Sequence, residues 1–241
     1  DSFVSFYFEN ELINYNKKNT IINDKKIVGV ISTRPLNLNI NNTQIIVGYT
    51  DYLCFNKPYR NKYKTPELIF THYYNVNKEE KFKQCFGFFK KEKSLNSTLV
   101  PLVKTKTYAF NIHSLELHRE KMHNIIKITK DTMYLLFTLL KLPIKCMLLP
   151  DFSNLLELIN TNNYIIYVLI ENNEAIAIYC FKNSTTYYEE GSTVECFSTI
   201  NLTNETLFYQ GFINCITNLA FNYDIICVEN LCDNDIILEI M

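Results

Sequence analysis

A strand pair, a long strand, a helix and a closing strand occur in that order twice along this chain. This repetition constrains the fold more than any single motif. In the first stretch, Lys26 to Ser32 reads as a strand, and Ile45 to Phe55, rich in β-branched and aromatic residues, as a long second strand or a pair. Thr65-Pro66-Glu67 then starts a helix, with Thr as N-cap, Pro at the first helical position and an acid in the first turn. Leu68, Ile69, His72, Tyr73 and Val76 follow at the spacing of one buried helical face. Phe82 to Phe89 and Leu99 to Phe110 read as further strands.

The second stretch opens with a hairpin: Tyr164 to Ile170, a turn at Glu171-Asn172-Asn173, then Ala175 to Phe181. Val194 to Ile200 is a third strand, and Asn204 to Asn222 an amphipathic helix with Phe208, Phe212, Cys215, Ile216 and Leu219 inward. Ile225 to Val228 closes the sheet and Asp233 to Met241 begins another helix. Two helices, about 129–142 and 151–161, lie between the halves, with Pro143 and Pro150 beside them. The expectation is an α/β (α+β) protein of two tandem units, 1–125 and 126–241.

With 241 residues, 47% of them hydrophobic, the chain can bury a real core, and 5 Gly with 6 Pro leave little room for flexible linkers. A formal net charge of −1 supplies no global field for holding nucleic acid or an anionic membrane, so any phosphate recognition must be local. The eight cysteines form no C-x-x-C pair and have no His at metal-ligand spacing. Most sit in apolar runs, such as Tyr52-Leu53-Cys54-Phe55, where a reduced thiol acts as a small hydrophobe. Neither disulfides nor a metal site is expected. No signal peptide and no run of 18 apolar residues is present, so a cytoplasmic protein without a membrane span is expected. The excess of Asn, Lys, Ile and Tyr, with no Trp, points to an A/T-rich genome such as that of a large DNA virus or an A/T-biased parasite.

One stretch carries a family resemblance. Tyr52-Leu53-Cys54-Phe55-Asn56-Lys57-Pro58-Tyr59-Arg60-Asn61-Lys62-Tyr63-Lys64-Thr65-Pro66 resembles the signature of the N-myristoyltransferases, which reads N-F-L-C-x-H-K followed by R-S-K-R-x-A-P and a helix. Leu53, Cys54, Lys57, Arg60, Lys62 and Pro66 coincide without a gap. Upstream, Val28-Gly29-Val30-Ile31-Ser32-Thr33-Arg34-Pro35 resembles the family's V-G-x-I-S-x-x-P strand. The resemblance implies two tandem GNAT-like acyltransferase units in a pseudo-twofold fold, the first holding acyl-CoA and the second the acceptor.

It also implies the chemistry. The backbone amides of Tyr52 and Leu53 would form the oxyanion hole for a thioester carbonyl. The loop Arg60, Asn61, Lys62, Lys64 and Thr65, ending at a helix N-terminus, would hold the CoA phosphates. The co-substrate would be myristoyl-CoA or another acyl-CoA, and the partner a glycine-terminated peptide or other amine.

Several departures bear on activity. Asn56 stands where the family has His, Asp51 where it has Asn, and Phe88 where it has Thr. The family's R-Y-x-H-R-x-L-N segment has no clear counterpart near Thr105 to Ile112. The sequence ends at Leu238-Glu239-Ile240-Met241, where the family's K-F-G-x-G-D-G would begin, so the terminal carboxylate that serves the family as general base is not expected from these residues. Asp51, beside the oxyanion site, is the candidate replacement. His113, His118 and His123 are spaced by five with no orienting group in sequence, and Glu189, Glu190 and Glu195 are candidate amine ligands beside a turn. Two readings therefore stand beside an active N-acyltransferase: a catalytically inactive descendant kept as a structural or binding protein with a protein partner, and a fragment of a longer enzyme.

Overall fold

The computed structural model describes residues 2–15, 20–41, 43–60, 64–82, 87–90, 103–115, 124–142, 145–184 and 191–241. In chain order the elements are β1 (Phe3–Tyr15), β2 (Thr20–Ile40), β3 (Thr43–Phe55), α1 (Lys64–Val76), β4 (Gly87–Phe88), β5 (Thr107–Asn111), β6 (Ile125–Lys127) and β7 (Cys146–Leu149). Then follow α2 (Phe152–Asn160), β8 (Tyr164–Glu171), β9 (Glu174–Asn183), β10 (Thr193–Asn201), α3 (Glu205–Leu219), β11 (Ile225–Glu229) and α4 (Asn234–Ile240). The chain divides into two compact units, 1–98 with 144–151, and 99–143 with 152–241. The boundary read from the repeat, 125/126, falls inside the second of these.

In the first unit the 21-residue β2 is the spine. β3 covers one of its edges antiparallel, while β1 pairs along its N-terminal part and β7 along Asn37–Ile40. Pro35 falls in the gap between the β1 and β7 pairings, where no ladder partner on that edge asks for its missing N–H. Strand alternation puts Leu36, Leu38 and Val47 into one apolar cluster and Ile31 with Phe55 into another. α1 covers the second cluster with Leu68, and its buried face is Leu68, His72 and Val76. Tyr73, placed on that face by periodicity, is exposed. The helix starts at Lys64, so Thr65 and Pro66 lie in its first turn rather than at the cap and first position. Phe82 closes a 3₁₀ turn (Glu80–Phe82), so the strand expected from Phe82 is reduced to β4 among the described residues.

The second unit is a six-stranded sheet ordered β5-β11-β10-β9-β8-β6. Successive residues of β8 serve opposite faces. Tyr167 and Leu169 meet the α3 side with Phe208, Phe212, Cys215 and Ile216, while Ile166 and Val168 meet Leu136, Leu155 and Ile159. α3 begins at Asn204, whose side chain accepts from the Leu207 N–H at 2.9 Å. Gly211 is required there, since a Cβ would sit 2.2 Å from the Tyr179 hydroxyl, which donates to the Phe208 carbonyl at 2.8 Å. The β8–β9 turn uses Asn172 and Asn173, both left-handed (φ 51° and 65°), as a two-residue hairpin demands. The helix expected over 129–142 is a 3₁₀ coil at Met133–Lys141. Leu135 N–H bonds Thr132 O at 3.0 Å at its start, an i→i+3 pattern that the coil continues.

Both units repeat one local plan. β3 runs parallel to β4 at Gly48 and Tyr49, then bulges at Tyr52–Leu53, and α1 follows. β10 runs parallel to β11 from Thr193 to Cys196, then bulges at Phe197, and α3 follows. The architecture is α/β (α+β), as expected from the sequence.

Candidate functional site

The bulge on β3 is the feature around which the expected site is built. Val30 pairs with Cys54 and Ser32 with Asp51, so Tyr52 and Leu53 together oppose Ile31 alone. Tyr52 takes a left-handed backbone (φ 54°), which is uncommon for a bulky L-residue and costs about 1–2 kcal/mol. A bulge takes backbone groups off the ladder and re-aims them. Tyr52 is 68% exposed and Leu53 37%, so this strand segment faces outward. Gly29 makes the geometry fit, because a Cβ there would lie 2.6 Å from the Phe55 ring. Phe55 thus lies across β2, packed on Ile31 and Leu68, and anchors the strand just past the bulge.

The Tyr52 N–H is already engaged. It donates to the Asp51 carboxylate at 2.9 Å. Arg34 Nη2 stands 3.8 Å from the same carboxylate, and the Arg34 guanidinium lies over the Tyr49 ring at 5.2 Å. Ser32 Oγ donates to the Asp51 main-chain oxygen at 3.3 Å. The two roles assigned from sequence, Tyr52 as oxyanion donor and Asp51 as base, therefore meet on one hydrogen bond.

Beyond the bulge, Asn56 N–H returns to the Val28 carbonyl and a 3₁₀ turn spans Lys57–Tyr59. Arg60 Nε donates to the Phe55 carbonyl at 3.0 Å, tying the basic loop to the strand end. A cavity of about 220 Å³ is lined by Leu53, Cys54, Phe55, Arg60 and Thr65. Three of the expected site residues, Leu53, Arg60 and Thr65, thus share one cavity. Lys64 is instead ion-paired with Glu9 and lies over the Tyr7 and Tyr59 rings at 5.4 and 5.7 Å. Asn61 and Lys62 lie outside the described residues. Cys54, read as a buried hydrophobe, is exposed; Cys196, Cys215 and Cys227 are the buried thiols among the described residues, and burial raises the pKa of Cys196 and Cys215.

Behind the bulge lies a polar chain that sequence reasoning missed. His72, 2% exposed, bonds Ser5 Oγ through Nδ1 and Thr33 Oγ1 through Nε2, both at 2.8 Å. Thr33 Oγ1 in turn meets Thr50 Oγ1 at 2.8 Å, one residue before Asp51. Burial pushes the His72 pKa below its ordinary 6.5, which favours the neutral ring. Periodicity marked His72 as inward-facing; its hydroxyl partners, 39 and 67 residues away, left no local signal.

In the second unit His113 does have an orienting group. Its Nε2 lies 3.4 Å from Asp224, whose carboxylate also accepts from the Ser192 N–H and Oγ. Those Ser192 bonds, then His113, hold the Asp224 carboxyl below its usual range. Asp224 stands between Ser192 and His113, so the histidine does not activate the serine. Glu195 pairs with Lys182 at 3.1 Å. His118, His123, Glu189 and Glu190 lie outside the described residues. Met241 lines a cavity of about 440 Å³ with Tyr108, Phe110, Asn230, Asp235, Leu238 and Glu239. Among the described residues no three His, Cys, Asp or Glu side chains gather as for a metal ion, and no helix is long and apolar enough to cross a membrane.

No family model matches the sequence, and no curated protein does. Solved structures do match. The fold is similar to that of Saccharomyces cerevisiae N-myristoyltransferase with bound myristoyl-CoA, at a TM-score of 0.68 and 15% identity over 89% of this chain and 63% of that one. It is similar too to the same yeast enzyme with bound myristoyl-CoA and inhibitors, at a TM-score of 0.69, 15% identity and 89% and 61% coverage. The chain spans about six tenths of the length of these relatives. At such identity the likeness establishes the fold alone, which is the one seen in those N-myristoyltransferase structures.

Proposed function

We propose that this chain binds a fatty acyl-CoA at the β3 bulge and the Arg60–Thr65 loop, and passes the acyl group to an amine such as an N-terminal glycine. The observation that carries the reading is the strained bulge at Tyr52–Leu53 opening onto the cavity of Leu53, Arg60 and Thr65. Its support is the fold shared with enzymes solved with myristoyl-CoA bound. Arg60, Thr65 and the first-turn N–H groups of α1 hold the phosphates. Residues 1–125 form the acyl-CoA side and 126–241 the acceptor side.

The reaction is direct. The amine attacks the thioester carbon, the C–S bond breaks, and the thiolate leaves as CoA. The amides of Tyr52 and Leu53 stabilise the oxyanion, and the proton released by the amine passes to the departing thiolate. Calorimetry with myristoyl-, palmitoyl- and acetyl-CoA tests the binding half. Micromolar binding of a long-chain acyl-CoA is expected, and no heat from any of the three refutes it. Asp51 on the Tyr52 N–H favours a second reading, a protein that binds acyl-CoA without turning it over. Transfer of labelled myristate to a glycine peptide separates the two.

A further inference from the structure

Asp51 cannot hold the Tyr52 N–H and leave that N–H for a carbonyl oxygen. The carboxylate sits there now, at 2.9 Å. Its other oxygen, Oδ2, already stands 3.8 Å from Arg34 Nη2, within ion-pair distance but beyond hydrogen-bond range. Only a bidentate hold on Arg34 Nε and Nη2 therefore takes Oδ1 off the Tyr52 N–H. Arg34 Nε is buried and has no hydrogen-bond partner among the described residues, although the guanidinium lies over Tyr49. A buried, unsatisfied N–H of a charged group is costly, so this guanidinium is short of an acceptor. The strand register brings the two together. Ser32 pairs with Asp51 and Arg34 with Tyr49, so by alternation Arg34 and Asp51 rise from the same sheet face on neighbouring strands.

We propose that Asp51 is a two-position gate on the acyl site, and that Arg34 is the positioning residue that opens it. With Asp51 on the Tyr52 N–H, the first oxyanion donor is occupied by a carboxylate, which also repels developing negative charge. With both Asp51 oxygens drawn onto Arg34 Nε and Nη2, the carboxylate is neutralised by a guanidinium and the N–H faces outward. The left-handed Tyr52 backbone keeps that N–H off the ladder in both positions. Acyl-CoA as the ligand rests on the proposed function; the exchange of Asp51 between two donors rests only on the geometry of β2 and β3.

The test uses the full chain as wild type, Asp51→Ala, Arg34→Met and the double variant. Each is titrated in the calorimeter with free CoA and with a non-hydrolysable ketone analogue of myristoyl-CoA, which keeps the carbonyl oxygen. Asp51→Ala should tighten the analogue by about tenfold more than it tightens free CoA, the worth of one freed hydrogen bond to a carbonyl oxygen. Arg34→Met should weaken the analogue in the wild-type background and leave it unchanged in the Asp51→Ala background. Equal tightening of both ligands, or the same Arg34→Met effect in both backgrounds, overturns the gate. Hydrogen exchange at the Tyr52 amide, measured without ligand, should be faster in Asp51→Ala and slower in Arg34→Met. Unchanged exchange rates also overturn it. If no variant binds either ligand, the acyl-CoA reading fails, and the exchange rates alone decide for or against the switch.

Discussion

His72 is the residue whose removal most directly tests how the bulge is held. In His72→Leu the ring's two hydrogen bonds are lost, to Ser5 and to Thr33, each 2.8 Å in the native chain. Thr33 keeps Thr50 as a partner, while Ser5 loses the acceptor or donor that the ring supplied. At about 1 kcal/mol per bond, plus part of a desolvation penalty at Ser5, the loss at pH 8 is about 2–3 kcal/mol. The pH dependence gives a sharper test. Burial lowers the folded pKa of His72 below 6.5, so the unfolded chain binds the proton more readily and stability rises with pH. The contribution is complete above 6.5 and is lost as pH falls from there toward the folded value. Wild type should therefore lose stability from this group as pH falls below 6.5, and the variant none of it. The wild-type advantage narrows in acid. Urea unfolding at pH 8, 6.5 and 5.5, followed by the fluorescence of the 17 tyrosines in a chain without tryptophan, measures this directly. An advantage that stays constant or widens in acid would refute the reasoning, since it would mean the ring is charged in the folded state.

Gly29→Ala should destabilise by about 1–3 kcal/mol, because the new methyl meets the Phe55 ring at 2.6 Å and the ring is packed on Ile31 and Leu68; denaturant unfolding reads it. Tyr52→Gly should stabilise or leave stability unchanged, within about 1 kcal/mol. It relieves the left-handed backbone, gives up little packing from a 68% exposed side chain, and adds chain entropy to the unfolded state. A loss above about 2 kcal/mol would show that the tyrosine ring does more than its exposure suggests. Asn234→Ala should lose about 2–4 kcal/mol, since Thr199 Oγ1 and the Cys196 carbonyl lose buried partners together.

The elements with long, regular apolar spacing were legible in the sequence, and the irregular ones were not. α3 emerged with its five inward residues because a 3.6-residue period repeated over four turns is hard to mimic. β1 gave no expectation, although Val4, Phe6 and Phe8 alternate, because the face they form is exposed rather than buried. The site was half legible. Leu53, Arg60 and Thr65 sit within 13 residues of one another, and a contiguous motif carries them into one cavity. What sequence could not supply is competition for a partner: Lys64 reads as a phosphate ligand until Glu9 takes it, and the Tyr52 N–H as a free donor until Asp51 does.

The duplicated bulges show how two copies of one plan can come to do different work. In both, a parallel ladder ends and the strand kinks just beyond it, at Tyr52–Leu53 on β3 and at Phe197 on β10. Where two strands part, their backbone groups need new partners or water. On β10 and β11 a single buried side chain supplies them. Asn234 Nδ2 donates to the carbonyls of Cys196 on β10, at 3.3 Å, and of Glu229 on β11, at 2.7 Å, while its Oδ1 accepts from Thr199 at 2.7 Å. The opening between those strands is filled from within by a residue of α4. Past the β3 bulge, the strand end is met only in part, by the Arg60 side chain on the Phe55 carbonyl, and a cavity remains. A side-chain amide bonded on both sides cannot be displaced cheaply by a ligand, whereas a guanidinium bound through one nitrogen keeps other donors to offer an anion. Of the two kinks, the one on β3 is therefore the one that, among the described residues, leaves donors and a cavity open.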